Sequence, residues 1–407
     1  QFMRGVNTGN FLELPGEPSN VSYSASDFEI MRKEGFDHVR LPVAWHRYTG
    51  PAPDYALRGE IFNEVDRMVG LARSQGLSII IDIHQFGDFN TAPLQQRQRL
   101  TKIWEQIAEH YQDAPESVAF ELINEPSGEA TAEVLNPIYA EIISKIRETN
   151  PDRIIFVGTA DFNSVAELES LRLPADDDKL IAAVHFYDPF LFTHQGAEFF
   201  SPDLADTLST TGIVFPGPPP TPKQASPRVT AEWALQWIAD YSSLPAGANP
   251  SSINAIRSRL DFARRWSEYF GRPVHVGEFG CFETADDASR VSYYRAVREV
   301  LDENGIGWAM WDWKAGFRYI RNGVPDPPQM REAIFPALRL QVPAAGKLEF
   351  STAIGKTYSV ERLLPDFGLE ATWERIGLET ATATRFEFED KEASQHEAAA
   401  YRVEWVK

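Results

Sequence analysis

AFELINEPSG, Ala119 to Gly128, opens as an apolar run and stops on Asn124-Glu125-Pro126. The run reads as a buried β-strand, and a proline cannot continue a strand ladder. The plain reading of that stop is the start of a loop. The other is an acid held at the tip of a rigid element. A lone Glu is usually a solvated surface charge, but one that follows an apolar strand has to be satisfied or used. The same pattern recurs at VHVGE, where Val274-His275-Val276-Gly277 leads to Glu278.

Working outward, short β-branched runs alternate with segments of helical period up to about residue 340. The strand candidates begin at Phe2, His38, Ser78, Val118, Ile154, Ile181, Val274 and Gly307. Gly35, Gly76 and Gly305 each close a helical run before the next strand, as helix C-caps. Eight strands alternating with helices predict an α/β fold, a (β/α)8 TIM barrel. A doubly wound open sheet is the alternative, but it would gather ligand contacts at one switch point. Here polar residues stand at many strand ends: Arg40 in the second, His84 on the third, Asn124 and Glu125 on the fourth. His185 and Tyr187 close the sixth, Glu278 the seventh, and Trp311 and Trp313 the eighth. In a barrel all these ends share one rim and converge on one pocket.

Two regions depart from this rhythm. Between the sixth strand and its helix runs a long excursion, Pro189 to Ser252, with FPGPPPTP at its centre. Loops of that length are usually functional, and this one is expected to wall the cleft. Beyond about Leu340 the segments KLEFSTA, TYSVERL, ATWERIG, TRFEFED and AAYRVEWV are short and alternating. They predict a small all-β, sandwich-like domain over 345–407 after a barrel domain over 1–340, with VPAAG as linker. Exposed rings such as Trp373 or Trp405 would let that module bind carbohydrate; packing or attachment is its plainer role.

Composition excludes whole classes of function. A formal net charge of −20 over 407 residues argues against nucleic acid and against anionic membrane surfaces. No apolar run approaches the ~18–20 residues of a membrane span. The single cysteine, Cys281, rules out an internal disulfide and a cysteine zinc site, and reads as a small buried apolar residue. No metal-ligand spacing such as His-x-x-x-His occurs, and neither metal nor cofactor is expected. The chain opens on Gln1 without a signal-peptide pattern; a removed export segment is the expectation, with a secreted, periplasmic or cell-surface monomer.

Two carboxylates on separate strand tips, with aromatic rings beside them, suit glycoside hydrolysis. One protonated acid releases the leaving oxygen while a second carboxylate works on the opposite face of the sugar. The segments RGVNTGNFLE, GFDHVRLPVAW, IIIDIHQF, FELINEPSG, VHFYDPFLFTHQGAE, PVHVGEFGCF and WAMWDWKAGF, in this order, resemble glycoside hydrolase family 5. FLFTHQGAE is nearest to bacterial endo-β-1,4-glucanases that also accept mannan. The resemblance implies that Glu125 is the general acid/base and Glu278 the nucleophile of a retaining enzyme acting on a β-glucan. It places Arg40 and Tyr187 against Glu278, Asn124 on the sugar 2-hydroxyl, and His84 and His185 on substrate or carboxylates. Trp311 would floor the cleaved subsite; Asn10 and Glu13 would meet the non-reducing sugars, and His194 and Gln195 the far side. A raised acid pKa is expected from partial burial and the charge of Glu278, with a carboxyl separation of about 5–5.5 Å. The sequence departs from the family's pattern in carrying His84-Gln85 where many relatives have His-His, and Phe199 where near relatives have Trp. A dedicated mannanase, an exo-acting glucosidase with a loop-blocked cleft, and a catalytically silent polysaccharide binder are the competing readings.

Overall fold

Eight short parallel strands close on themselves: β1 (Arg4–Asn7), β2 (His38–Leu41), β3 (Ser78–Asp82), β4 (Val118–Glu121), β5 (Ile155–Gly158), β6 (Leu180–Phe186), β7 (Val274–Phe279) and β8 (Gly307–Met310). β1 pairs with both β2 and β8, which completes the (β/α)8 barrel predicted from the strand count. The computed structural model describes residues 2–14, 21–336, 340–344, 347–352, 356–363, 373–381, 385–393 and 400–406.

Alternation along the strands sorts the barrel interior into layers. At the bottom, Phe2, Ile80, Ala119, Phe156 and Ala183 form an apolar plug. His38 and His275 join it, their Nε2 atoms 3.2 Å apart, with His38 Nδ1 2.7 Å from Asp37. Gly5 is required here, because a Cβ would stand 2.2 Å from the His38 ring. Two residues further along each strand come Asn7, Arg40, Asp82 and Glu121, all buried. The plug therefore seals the barrel below a polar layer.

Burial, followed by the charges of His38 and Arg40, holds His275 well below the usual imidazole range. A base whose folded pKa is depressed adds stability above its unfolded pKa of about 6.5, and that stability is lost as pH falls toward the folded value. His275→Gln is therefore expected to lose less melting temperature than the parent between pH 7 and pH 5. Parallel thermal melts check this; equal slopes would remove His275 from the account.

The excursion after β6 folds as packed structure, with helices at Phe190–Thr193, Pro202–Thr207 and Glu232–Ser243. Its proline-rich centre is held away from the rim. The Phe215 N–H donates to Ser289 Oγ, and the Gly217 N–H to the Ser251 carbonyl. The first part of the excursion, from Phe190 to Leu204, walls the cleft, with Asp188 just before it.

A two-residue hairpin of β9 (Ile320–Arg321) and β10 (Val324–Pro325) follows the barrel. The C-terminal region then forms two three-stranded antiparallel sheets. One joins β11 (Leu340–Ala344), β12 (Lys347–Ser351) and β15 (Arg385–Glu389); the other joins β13 (Thr357–Leu363), β14 (Trp373–Thr380) and β16 (Ala400–Trp405). Leu348, Phe350, Tyr358, Val360 and Ala381 make its own small core. The expected linker VPAAG is not free chain, since Val342, Pro343 and Ala344 lie in β11, which pairs with β12. Gly346 and Ala345 fall outside the described residues, as do the side chains of Trp373 and Trp405.

Candidate active site

Arg40 organises the rim from below. Its Nε and one terminal nitrogen donate to the two oxygens of Glu121 at 2.7 and 2.8 Å. The same terminal nitrogen reaches Asn124 Oδ1 and Asp82, both at 2.7 Å, and the other reaches Asn7 Oδ1 at 3.0 Å and Glu278 at 2.8 Å. A planar guanidinium can serve this many acceptors at once, which a lysine could not. The second oxygen of Glu278 accepts from Tyr187 Oη at 2.8 Å. Burial, reinforced by the charges of Glu278 and Glu125, pushes the Tyr187 phenol well above its ordinary range, so it stays a donor. Asn124 meets Arg40 through its oxygen, which turns its NH2 away from the guanidinium.

Glu125 lies just past β4 with φ +46, a left-handed conformation that a non-glycine residue adopts at a cost of about 1–3 kcal/mol. Its Oε1 sits 2.8 Å from His185 Nδ1, and that nitrogen is 3.6 Å from Glu278. Oxygens of Glu125 and Glu278 come within 4.8 Å of each other. Burial raises the Glu125 pKa; His84 and Arg40 act against that rise and Asp82 adds to it. The charge that adds to burial is therefore that of Asp82, where Glu278 was expected, and its effect is smaller than those of His84 and Arg40. The side chain nonetheless keeps 29% of its surface open, as a group that must touch an incoming ligand requires. Burial holds His185 down to about 4, so it is neutral near pH 7.

Trp311 and Trp313 separate cleanly. The Trp311 ring lies over Gly9, where a Cβ would stand 2.8 Å from it, and stacks on His84 at 5.8 Å and 7°. Trp313 is fully buried and donates to Asp27 at 3.0 Å. Lys314 also goes to Asp27, at 2.7 Å, and does not face the cleft as a sugar ligand. His84 is bound to Asp82 at 3.0 Å; burial opposes its charge, but the Asp82 carboxylate outweighs this and lifts it to about 8.

The outer candidates divide. Asn10 donates to Asp312 Oδ2 at 3.1 Å, while Glu13 is buried and accepts the backbone N–H groups of Asn10 and Phe11. Glu13 thus shapes the turn after β1. His194 packs between Tyr187, Phe190 and Phe317 and lines the cleft. Gln195 does not reach it. Its amide is fully buried and binds the Phe192 and Ile213 carbonyls and the Ile213 N–H, so it pins the excursion in place of touching ligand.

These groups open onto a cleft of about 550 Å³. Its lining adds residues the sequence reading passed over: Asp161, Phe162 and Ser164 after β5, and Phe190, Phe200, Leu204 and Phe317. Asn7, Asp82 and Glu121 were also missed, although each is a polar residue inside an apolar strand. Among the described residues, Glu125, His185 and Glu278 form the group whose donor atoms could hold a metal ion. Glu125 is bound to His185, and Glu278 to Arg40 and Tyr187, each at 2.8 Å.

A closed barrel with a carboxylate after β4 and another on β7, held this close, has the build of a carbohydrate hydrolase. Residues 4–316 match the family model for cellulase, glycosyl hydrolase family 5, and the chain belongs to that family. Endoglucanase H of Acetivibrio thermocellus is 29% identical over 310 residues, covering 76% of this chain and 29% of the relative. Endoglucanase 3 of Fibrobacter succinogenes is 28% identical, covering 79% of this chain and 50% of the relative. The chain thus spans half or less of those two proteins, but 91% of Endoglucanase C of Acetivibrio thermocellus, to which it is 27% identical over 77% of its own length. Among solved structures, Cel5A of Thermotoga maritima in complex with cellobiose matches with a TM-score of 0.69 and 28% identity, over 82% of this chain and 97% of that one.

Proposed function

We propose that this protein is a retaining, endo-acting glycoside hydrolase that cleaves β-1,4-glucan by double displacement. The observation that carries this reading is the approach of Glu125 and Glu278 to within 4.8 Å, since inversion needs carboxyl groups about 6.5–9.5 Å apart to admit a water. Glu278, held by Arg40 and Tyr187, attacks the anomeric carbon. Glu125 protonates the leaving oxygen, with neutral His185 donating Nδ1–H to its other oxygen. Once Glu278 is esterified, Glu125 acts as base on the incoming water. On this reading Asn124, whose oxygen accepts from Arg40, binds the 2-hydroxyl through its NH2, and Trp311 stacks beneath the cleaved sugar.

Mannan is a second substrate on this reading, because Cel5A of Thermotoga maritima has also been solved with mannotriose. A catalytic domain over 1–340, an accessory β-domain over 345–407, and action outside the cell as a monomer complete the proposal. No helix among the described residues is long and apolar enough to cross a membrane. Cleavage of cellohexaose, mannohexaose and mixed-linkage glucan, followed by NMR of the first-formed anomer, tests it. Retention with internal cleavage of cellohexaose is expected; an α-anomer product or release of glucose alone would overturn it.

The acid must be protonated to act, so activity falls as pH rises through the Glu125 pKa. The His84 charge lowers that pKa. His84→Asn should therefore move the alkaline limb of kcat/KM to higher pH while lowering its plateau. A limb that stays in place or moves down would show that the two groups are not coupled.

A further inference from the structure

We propose that Asn90 is a positioning residue for the acid/base. From the short helix Gly87–Thr91 it holds the backbone of Glu125 in its left-handed conformation, and so aims the carboxyl at the leaving oxygen. The inference rests on the reading of Glu125 as the proton donor. Asn90 meets the backbone of that residue, so it acts through Glu125.

Three alternate residues of the loop after β4 are tied to Asn90. Its Nδ2 donates to the Glu125 carbonyl at 3.4 Å, and its Oδ1 accepts the Ser127 N–H at 3.2 Å. Its own carbonyl accepts the Glu129 N–H at 3.0 Å. Between the last two lies Gly128, with φ +61, where a Cβ would stand 3.1 Å from the Asn90 carbonyl oxygen. The loop therefore runs so close to Asn90 that a glycine is needed at the junction. From the other side the Phe162 N–H donates to the Pro126 carbonyl at 3.1 Å. The short helix is itself anchored, because Phe89 beside Asn90 is fully buried and the Asn90 N–H donates to the Phe86 carbonyl at 3.3 Å.

A residue with a Cβ stays at φ +46 only when its surroundings over-determine it, and strain of this kind gathers at functional sites. Pro126 has no N–H, so the loop lacks one donor with which to hold itself. The grip must come from outside. An asparagine suits the task because one amide carries both a donor for the Glu125 carbonyl and an acceptor for the Ser127 N–H. Were φ of Glu125 to relax toward the extended region, the carboxyl would swing off His185 Nδ1, which it now meets at 2.8 Å. Misplacing a reacting group by about 1 Å can cost on the order of 10²-fold in rate. Glu278 does not share this dependence, since Arg40 and Tyr187 hold it from β2 and from the end of β6.

The test compares kcat/KM of the full chain on two aryl β-cellobiosides, because kcat/KM reports bond cleavage up to the intermediate. Phenolate needs a proton to leave, whereas 2,4-dinitrophenolate does not. Asn90→Ala should lose about 10–100-fold more on the phenyl than on the dinitrophenyl donor. Gly128→Ala crowds the same junction from the opposite side and should show a split in the same direction; it also carries the test if Asn90→Ala does not fold. Glu125→Gln, run alongside, sets the reference with a larger split. A split in Glu125→Gln with equal losses, or none, on both donors in the Asn90 and Gly128 variants overturns the positioning role and leaves the acid assignment intact. Glu125→Gln without a split would overturn both.

Discussion

Glu278→Gln is expected to abolish turnover of soluble β-glucan, with a fall in kcat on the order of 10⁵-fold or more, the scale of losing a covalent nucleophile. An amide at this position keeps the shape: its oxygen still accepts from Arg40 and its NH2 can donate to the Tyr187 hydroxyl oxygen, so the fold survives the change. Glu125→Gln should cost less, about 10²–10⁴-fold, because the residue supplies proton transfer and not the bond itself. The two variants separate further on a donor with a leaving group that needs no proton. With β-cellobiosyl fluoride the Glu125→Gln variant should form the intermediate and stall, since no base activates water. Azide, a nucleophile that needs no base, should then restore turnover and yield a β-glycosyl azide. Glu278→Gln should gain nothing from this donor. Full activity of either variant on soluble glucan would mean that the acid and nucleophile have been assigned wrongly.

Much of this site was legible because its signals are local. A charge at the end of an apolar strand has few explanations, and Glu125 and Glu278 both carried that signal in AFELINE and VHVGE. The barrel followed from counting strands and needed no side-chain detail. The same reasoning, applied evenly, would have found Asp82 in IIIDIH and Glu121 in AFELIN. Both are charges within apolar runs, and both prove to be partners of Arg40. Phe162 was not legible, because an aromatic after a strand is usually core and its exposure depends on three left-handed residues that sequence does not announce. Gln195 shows the converse. Its neighbour His194 reaches the cleft, but the side chain one residue on is turned into the excursion and fully bound there. Strand alternation orders residues within an element; it says nothing about a loop that packs on itself.

Arg40→Ala should be the most destabilising single change in the barrel, costing about 3–5 kcal/mol by denaturant unfolding. The reason lies in what it leaves behind. Asp82, Glu121 and Glu278 are all buried around the guanidinium, at 2.7, 2.7 and 2.8 Å, and no other arginine or lysine pairs with them among the described residues. Removing one cation strands three carboxylates in a site that water reaches poorly. Arg40→Lys should recover only part of the loss, because a single ammonium cannot span the same acceptors. The effect also carries a pH signature. Burial raises the Asp82 pKa, but Arg40 and His84 pull it below its ordinary value. A depressed carboxylate contributes stability above its unfolded pKa of about 3.9 and loses it as pH falls through the folded value. Without Arg40 that depression is lost and protonation becomes the cheapest way to keep the group buried. The deficit of Arg40→Ala should therefore be larger at pH 7 than at pH 5, where the stranded carboxyl groups begin to take up protons. Paired unfolding curves at the two pH values decide it. A deficit below about 1 kcal/mol, the ordinary cost of a substitution, or one equal at both pH values, would mean that the carboxylates are not held by Arg40.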